Sequence, residues 1–258
     1  GKIPYNATMF NAGLRFNKYE IFNPFVSFSQ AFAINELGRI LRSAEESTIA
    51  SLATDPIITN NYEVGFSSKF YNFNLTAAYY ISTSKLGANL IEIDGRLVAQ
   101  REPEKIKGYE ITLDYRFSDK LNVGGSYSYV DGKAEFDDGR EVYLNGSRIA
   151  PPKATAFINY KPASDWFLQL SWVNTGCRDR FEPNANGRYN NSEGPISTVN
   201  LINFAGSYAF NKNWSLNLGV ENLLNHSYYS TLSQYRAVNA DYVMGNGMTT
   251  SLNLRYKF

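Results

Sequence analysis

One cysteine and one histidine occur in 258 residues. Cys177 has no partner within the chain, which excludes an intrachain disulfide framework. His226 is followed directly by Ser227, and neighbours on a strand point to opposite faces, so the pair cannot serve as a hydrolase base and nucleophile. No catalytic residue is expected. Acid pairs such as Asp137-Asp138 and Glu45-Glu46 come without ligand spacing, so no metal site and no cofactor is expected; they read as solvated loop charge. The net charge is +1 and no basic run is present, which leaves no footprint for nucleic acid. Nor does any window approach the roughly 18 consecutive apolar residues of a spanning helix.

What the chain has instead is aromatic residues, 15% of the total with 19 Tyr and 17 Phe, at a mean hydropathy of −0.35. That balance suits a membrane protein built from strands, because only alternate residues meet lipid and each span needs about 9–11 residues. The two-residue period is present. In the last strand Leu252, Leu254, Tyr256 and Phe258 oppose Ser251, Asn253, Arg255 and Lys257. Similar alternation marks Asn6 to Phe16, Ile21 to Phe32 (with Pro24 near its start), Tyr62 to Phe70, Phe73 to Ile81 and Tyr109 to Phe117. It continues through Leu121 to Tyr129, Lys153 to Tyr160, from Trp166 through Trp172, and over Ile202 to Phe210.

Connections alternate in length. Short turns fall at Asn17-Lys18, Tyr71-Asn72, Ser118 to Lys120, Pro162 to Asp165 and Asn211 to Asn213. Long intervals fall at Ala33 to Thr59, Ser84 to Glu104, Asp131 to Ala150 and Glu182 to Pro195. Outer-membrane barrels place short turns on the periplasmic side and long loops outside. Phe16, Phe70, Phe117, Trp166, Phe210, Trp214 and Phe258 sit at the turn side, where an interfacial girdle belongs. The expected fold is therefore all-β: an antiparallel transmembrane β-barrel with about eleven strands. An odd count cannot close as the usual single-chain barrel, so residues 1–258 read as the C-terminal portion of a larger one. The rival expectation is a complete barrel with a twelfth strand overlooked.

Gly219 to Tyr229, GVENLLNHSYY, resembles the penultimate-strand box of TonB-dependent outer-membrane receptors. YLNGSRIAPPKATAFINY (Tyr143 to Tyr160), GCRDRF (Gly176 to Phe181), Lys107 to Lys133, and FNAGLRF with FSQAF support it. The segments are most similar to receptors for ferric siderophores, the hydroxamate type among them. This resemblance implies a 22-stranded barrel of which these are the last eleven strands, with the plug domain and TonB box absent. It implies uptake of a ferric siderophore across the bacterial outer membrane, driven through TonB by way of the plug. A passive channel or structural outer-membrane protein is the alternative, and an outer-membrane lipase or protease a further one.

Anionic siderophores suit guanidinium groups with aromatic neighbours. At the extracellular end the candidates are Arg178, Arg180, Arg148, Arg39 and Arg42, with Tyr143, Phe181, Tyr189 and Tyr235 as aromatic contacts. Lipopolysaccharide phosphate or loop acids are the competing partners for these cations, and outer-membrane lipid is expected around the wall. Asn217, Glu221, Asn253 and Arg255 form a polar lumen wall, which hydrates the barrel or meets a plug.

Overall fold

A computed structural model describes residues 6–19, 21–33, 57–93, 96–135, 139–146, 148–180, 195–236 and 242–258, with side chains except at 86–102 and 235–236. The strands are β1 (Asn11–Arg15), β2 (Asn23–Ala33), β3 (Ile57–Phe70), β4 (Phe73–Ile93), β5 (Arg96–Arg116) and β6 (Leu121–Glu135). They continue as β7 (Glu141–Tyr143), β8 (Lys153–Tyr160), β9 (Trp166–Thr175), β10 (Val199–Ala209), β11 (Trp214–Glu221) and β12 (Thr249–Tyr256). A single helical turn and a half, α1 (Thr231–Arg236), precedes β12. Eleven of the strands form one antiparallel meander in sequence order, and the short β7 pairs β6 off that path. Among the described residues β1 and β12 are edges, so the sheet is open.

Two of the long intervals are not loops throughout. Ser84 to Glu104 belongs to a hairpin in which β4 and β5 pair to Ile93 and Arg96, with a register shift between Ser84 and Gly87. Asp131 to Ala150 likewise carries the end of β6 and all of β7. The reason is physical. Backbone pairing needs no alternation of side chains, and alternation is imposed only where one face meets lipid and the other water. Strands that rise above the membrane keep their ladder and lose their pattern.

Within the membrane span the registers sort side chains cleanly. Leu14, Val26, Val64, Tyr79, Tyr109 and Tyr129 form one cross-strand row, and Leu170, Phe204 and Val220 belong to another on the same face. Leu14, Val26, Val64 and Leu170 are exposed, as a lipid-facing surface should be. The opposite face is joined by hydrogen bonds between strands. Arg15 Nη2 donates to Ser67 Oγ at 2.8 Å, Ser82 Oγ to Asn61 Oδ1 at 2.6 Å, Asn122 Nδ2 to Asp114 Oδ2 at 3.1 Å and Gln169 Nε2 to Asn159 Oδ1 at 2.8 Å.

Short turns close one end. Ser118 Oγ accepts from the backbone N–H of Lys120 and Leu121, both at 3.2 Å, and Asn211 Oδ1 accepts from Asn213 and Trp214 at 2.9 and 3.0 Å. Aromatic rings meet beside these turns: Tyr115 with Phe117 at 4.4 Å, Trp166 with Tyr208 at 4.5 Å, Trp214 with Tyr256 at 4.7 Å and Tyr256 with Phe258 at 4.8 Å. The final strand is tied there as well, since Asn213 Nδ2 donates to the Lys257 carbonyl at 2.7 Å.

Candidate functional site

At the other end, above β5, β6, β8 and β9, lie the described parts of the β6–β8 and β9–β10 connections. There residues 144–146 and 148–150 turn inward over the lumen face of β5 and β6. Leu144 and Ile149 pack against Ala134, Ile106 and Val130, forming a small buried core. Gly132 makes this possible, because a Cβ at that position would stand 2.8 Å from Ile149 Cδ1 and 2.9 Å from Leu144 Cδ1.

Two of the candidate arginines hold this loop down. Arg148 donates to Glu104, whose side chain is only 5% exposed while that of Arg148 is 40% exposed. Arg178 is 6% exposed and donates from Nη2 to the Leu144 carbonyl. Its own backbone is bridged in both directions to Ile196, at 3.0 and 2.8 Å. The β9–β10 connection is thereby fastened to the β6–β8 connection.

Arg180 lies elsewhere. Its Nη1 donates to Tyr129 Oη at 2.5 Å and to Asp131 Oδ2 at 3.0 Å, and its guanidinium stands 5.7 Å from the centre of the Tyr129 ring. Tyr129 and Asp131 alternate with Val130 and Gly132 along β6, so Arg180 sits on the outer, lipid-side face while Arg148 is paired on the inner one. Tyr129, and to a lesser extent Asp131, raise the affinity of Arg180 for its proton. The carboxylate also accepts the Gly132 N–H at 3.0 Å. Tyr143 is on that outer side too, with Lys133 Nζ 5.0 Å from its ring centre.

Arg148, Arg178 and Arg180 lie at the same end of the sheet, and the wall divides them between its two faces. Arg148 and Arg180 each have a carboxylate partner and keep part of the guanidinium toward solvent. Tyr235 lies in α1, with its side chain outside the described residues; Arg39, Arg42, Phe181 and Tyr189 also fall outside them. Cys177 is exposed beside Arg178. Among the described residues no three His, Cys, Asp or Glu side chains form a metal-holding group.

The GVENLLN segment holds the other loop. Asn222, 3% exposed, accepts the His226 N–H on Oδ1 at 2.8 Å and donates from Nδ2 to the carbonyls of His226 and Asn246 at 2.9 and 3.2 Å. Asn225 Oδ1 accepts from Met248 N at 2.9 Å. Both asparagines have positive φ, 50° and 48°, a conformation that Asn tolerates better than most residues. One segment therefore supplies both the bend and the amides that close it. Further out, Ser230 caps α1 through Ser233 N at 3.2 Å, and buried Gln234 accepts from Ser197 N at 2.9 Å. The signal for these roles was in the sequence as Asn after a strand and Ser before a helix.

A family model described as TonB dependent receptor-like, beta-barrel, matches residues 1–223. The probable TonB-dependent siderophore receptor PiuA of Acinetobacter baumannii is 25% identical over 216 residues, covering 78% of this chain and 27% of that protein. The rhizobactin receptor of Rhizobium meliloti is 22% identical over 242 residues, covering 88% and 31%. The chain thus spans about a third or less of the curated relatives it matches. Among solved structures, the copper transporter OprC superposes with a TM-score of 0.79 at 18% identity, covering 96% of this chain and 39% of that one.

Proposed function

We propose, for a chain that belongs to the TonB-dependent receptor-like β-barrel family, that it supplies wall and outer loops to an outer-membrane transporter of a ferric siderophore. The observation that carries this reading is the two-sided sheet: apolar and exposed outside, hydrogen-bonded and polar inside, with short turns at one end and built loops at the other. Such a wall belongs in the bacterial outer membrane, and family membership places it there. Two curated relatives, one described as a probable TonB-dependent siderophore receptor and the other as a rhizobactin receptor, support the cargo.

In this reading the loops capture the ligand and a plug domain elsewhere in the receptor gates the lumen and engages TonB. Arg148 offers a partly exposed guanidinium group on the inner face, and Arg39, Arg42, Phe181, Tyr189 and Tyr235 complete the cationic and aromatic loop set; Arg180 and Tyr143, on the outer face, stand outside it. Arg178 acts through the loop it anchors. No covalent chemistry is required of any of them, so the protein works as a transporter and not as an enzyme.

The test is iron-limited growth of a receptor-deficient host expressing the full-length protein, supplied with a panel of hydroxamate, catecholate and carboxylate siderophores. Rescue by at least one of them that disappears on deleting tonB is expected. Rescue that persists without TonB indicates a passive channel and overturns the reading.

A further inference from the structure

The outer face above the tyrosines carries more positive charge than its own acids take up. Lys107 lies two residues beyond Tyr109 on β5, and Lys105 two beyond that. Lys105 is paired directly with Lys133 of β6, and Lys107 with Asp131. Arg180 approaches the same face through Tyr129 and Asp131. Asp131 is engaged by Arg180, and Glu141 by Lys133 at 2.9 Å. Glu135, paired with Glu141 in the β6–β7 ladder, is one rung further out. Among the described residues the side chains of Lys105 and Lys107 form no hydrogen bond or close ion pair, and Glu141, already held by Lys133, acts on both only at longer range. Two ammonium groups in directly opposed positions repel, and that arrangement is relieved by an anion between them.

Beneath this patch the wall is hollowed. Gly125 and Ala156 stand side by side in a row that otherwise holds Leu113 and Trp172, leaving an apolar hollow of about 550 Å3 on the lipid side. Tyr127 lines its upper part and packs at 5.8 Å against Tyr109, which in turn stacks on Tyr129 at 5.4 Å. Cations, then phenol hydroxyls, then an apolar hollow succeed one another down one face. At about 3.4 Å per residue, Lys107 and Lys105 lie roughly 7 and 14 Å along the strand beyond the tyrosine ring. That is headgroup height.

We propose that this face holds a lipid carrying more than one phosphate, with its phosphates on Lys105, Lys107, Lys133 and Arg180 and an acyl chain in the hollow at Gly125 and Ala156. The proposal rests on the outer-membrane reading above and goes beyond it in assigning a lipid site on the outer wall. Hydrated lysines on a flat wall would serve solubility alone; the tyrosine step and the hollow directly below them select an amphiphile with an anionic head.

Native mass spectrometry of the full-length, detergent-solubilised receptor tests it, with rough-type lipopolysaccharide and its dephosphorylated form as probes. The wild type is expected to retain the phosphorylated lipid about tenfold better than the dephosphorylated one. Lys105→Gln with Lys107→Gln should lose that preference, each single variant should weaken it about threefold, and Lys212→Gln at the opposite end should keep it. Ala156→Phe, which fills the hollow, should lower retention of both probes. Equal retention of the two probes by the wild type, or wild-type retention by the double variant, overturns the proposal. Heat-modifiable gel migration and recovery in the outer-membrane fraction read the barrel itself, and their failure for the wild type would sink the membrane reading instead. Siderophore uptake by the lysine variants should stay at the wild-type level, which separates the lipid site from cargo binding.

Discussion

Phe157 on β8 lies across the bare backbone of its direct cross-strand partner, Gly124 on β6, so closely that a Cβ there would stand 2.6 Å from Phe157 Cζ. The same pairing recurs on the lumen face. Phe25 covers Gly65 at 2.6 Å and Tyr80 covers Gly108 at 2.5 Å by the same measure. Each ring shields strand backbone that a glycine leaves open, on a face that is otherwise polar. Gly124→Val forces the ring off the strand and should destabilise the folded barrel by about 1–3 kcal/mol. A lowered urea midpoint for the heat-modifiable form measures this; Gly13→Ala, whose Cβ would meet nothing closer than 3.6 Å, should leave the midpoint in place.

Removing Arg148 strands a carboxylate. Glu104 is buried at the inner mouth, and Arg148→Ala should loosen the Leu144 to Ala150 segment at a cost of about 1–3 kcal/mol. Faster protease cleavage there is the readout. Adding Glu104→Gln should restore much of the resistance, because the neutral amide no longer needs a cation.

The β6–β7 hairpin should respond to pH at both extremes. Its Lys133–Glu141 pair holds the Glu141 carboxyl below its ordinary 4.5 and the Lys133 ammonium above its ordinary 10.5. A lowered carboxyl contributes above its unfolded pKa and loses that contribution as pH falls through the folded one. A raised ammonium contributes below its unfolded pKa and loses it as pH rises through the folded one. The protection factor of the Val142 amide, taken relative to its intrinsic exchange rate at each pH, should therefore be highest between these limits and fall at either side, with a small amplitude because both groups are solvent-exposed. A flat profile for Glu141→Gln at the acid end is the control.

Asn222 combines a bend with three hydrogen bonds. Asn222→Ala should destabilise the β11–β12 connection by about 1–3 kcal/mol, whereas Asn222→Gly keeps the positive φ and loses only the amide. The difference between the two variants in exchange at Met248 reports the backbone share. Equal effects would show that the amide carries the whole role.

Much of the wall was legible from side-chain alternation, because lipid on one side and water on the other force a two-residue period that Leu252 to Phe258 displays in four repeats. The turns were legible through Ser118 and Asn211, whose side chains accept from their own following backbone. Legibility stopped at the membrane edge. Between Ser84 and Glu104 the ladder persists with no lipid face to impose a pattern, so the sequence read as a loop what folds as a hairpin.

By itself, then, the sequence determined the class of wall, the rhythm of its connections and the end at which loops collect, since these follow from local periodicity and turn chemistry. Only the tertiary structure decided which side of that wall each charge takes. Arg178 and Arg180 are two residues apart, yet one is buried under Leu144 and the other lies outside on Tyr129. Their partners, 34 and 51 residues away, are brought there by strand register, which pairs residues too distant along the chain for any local pattern to specify.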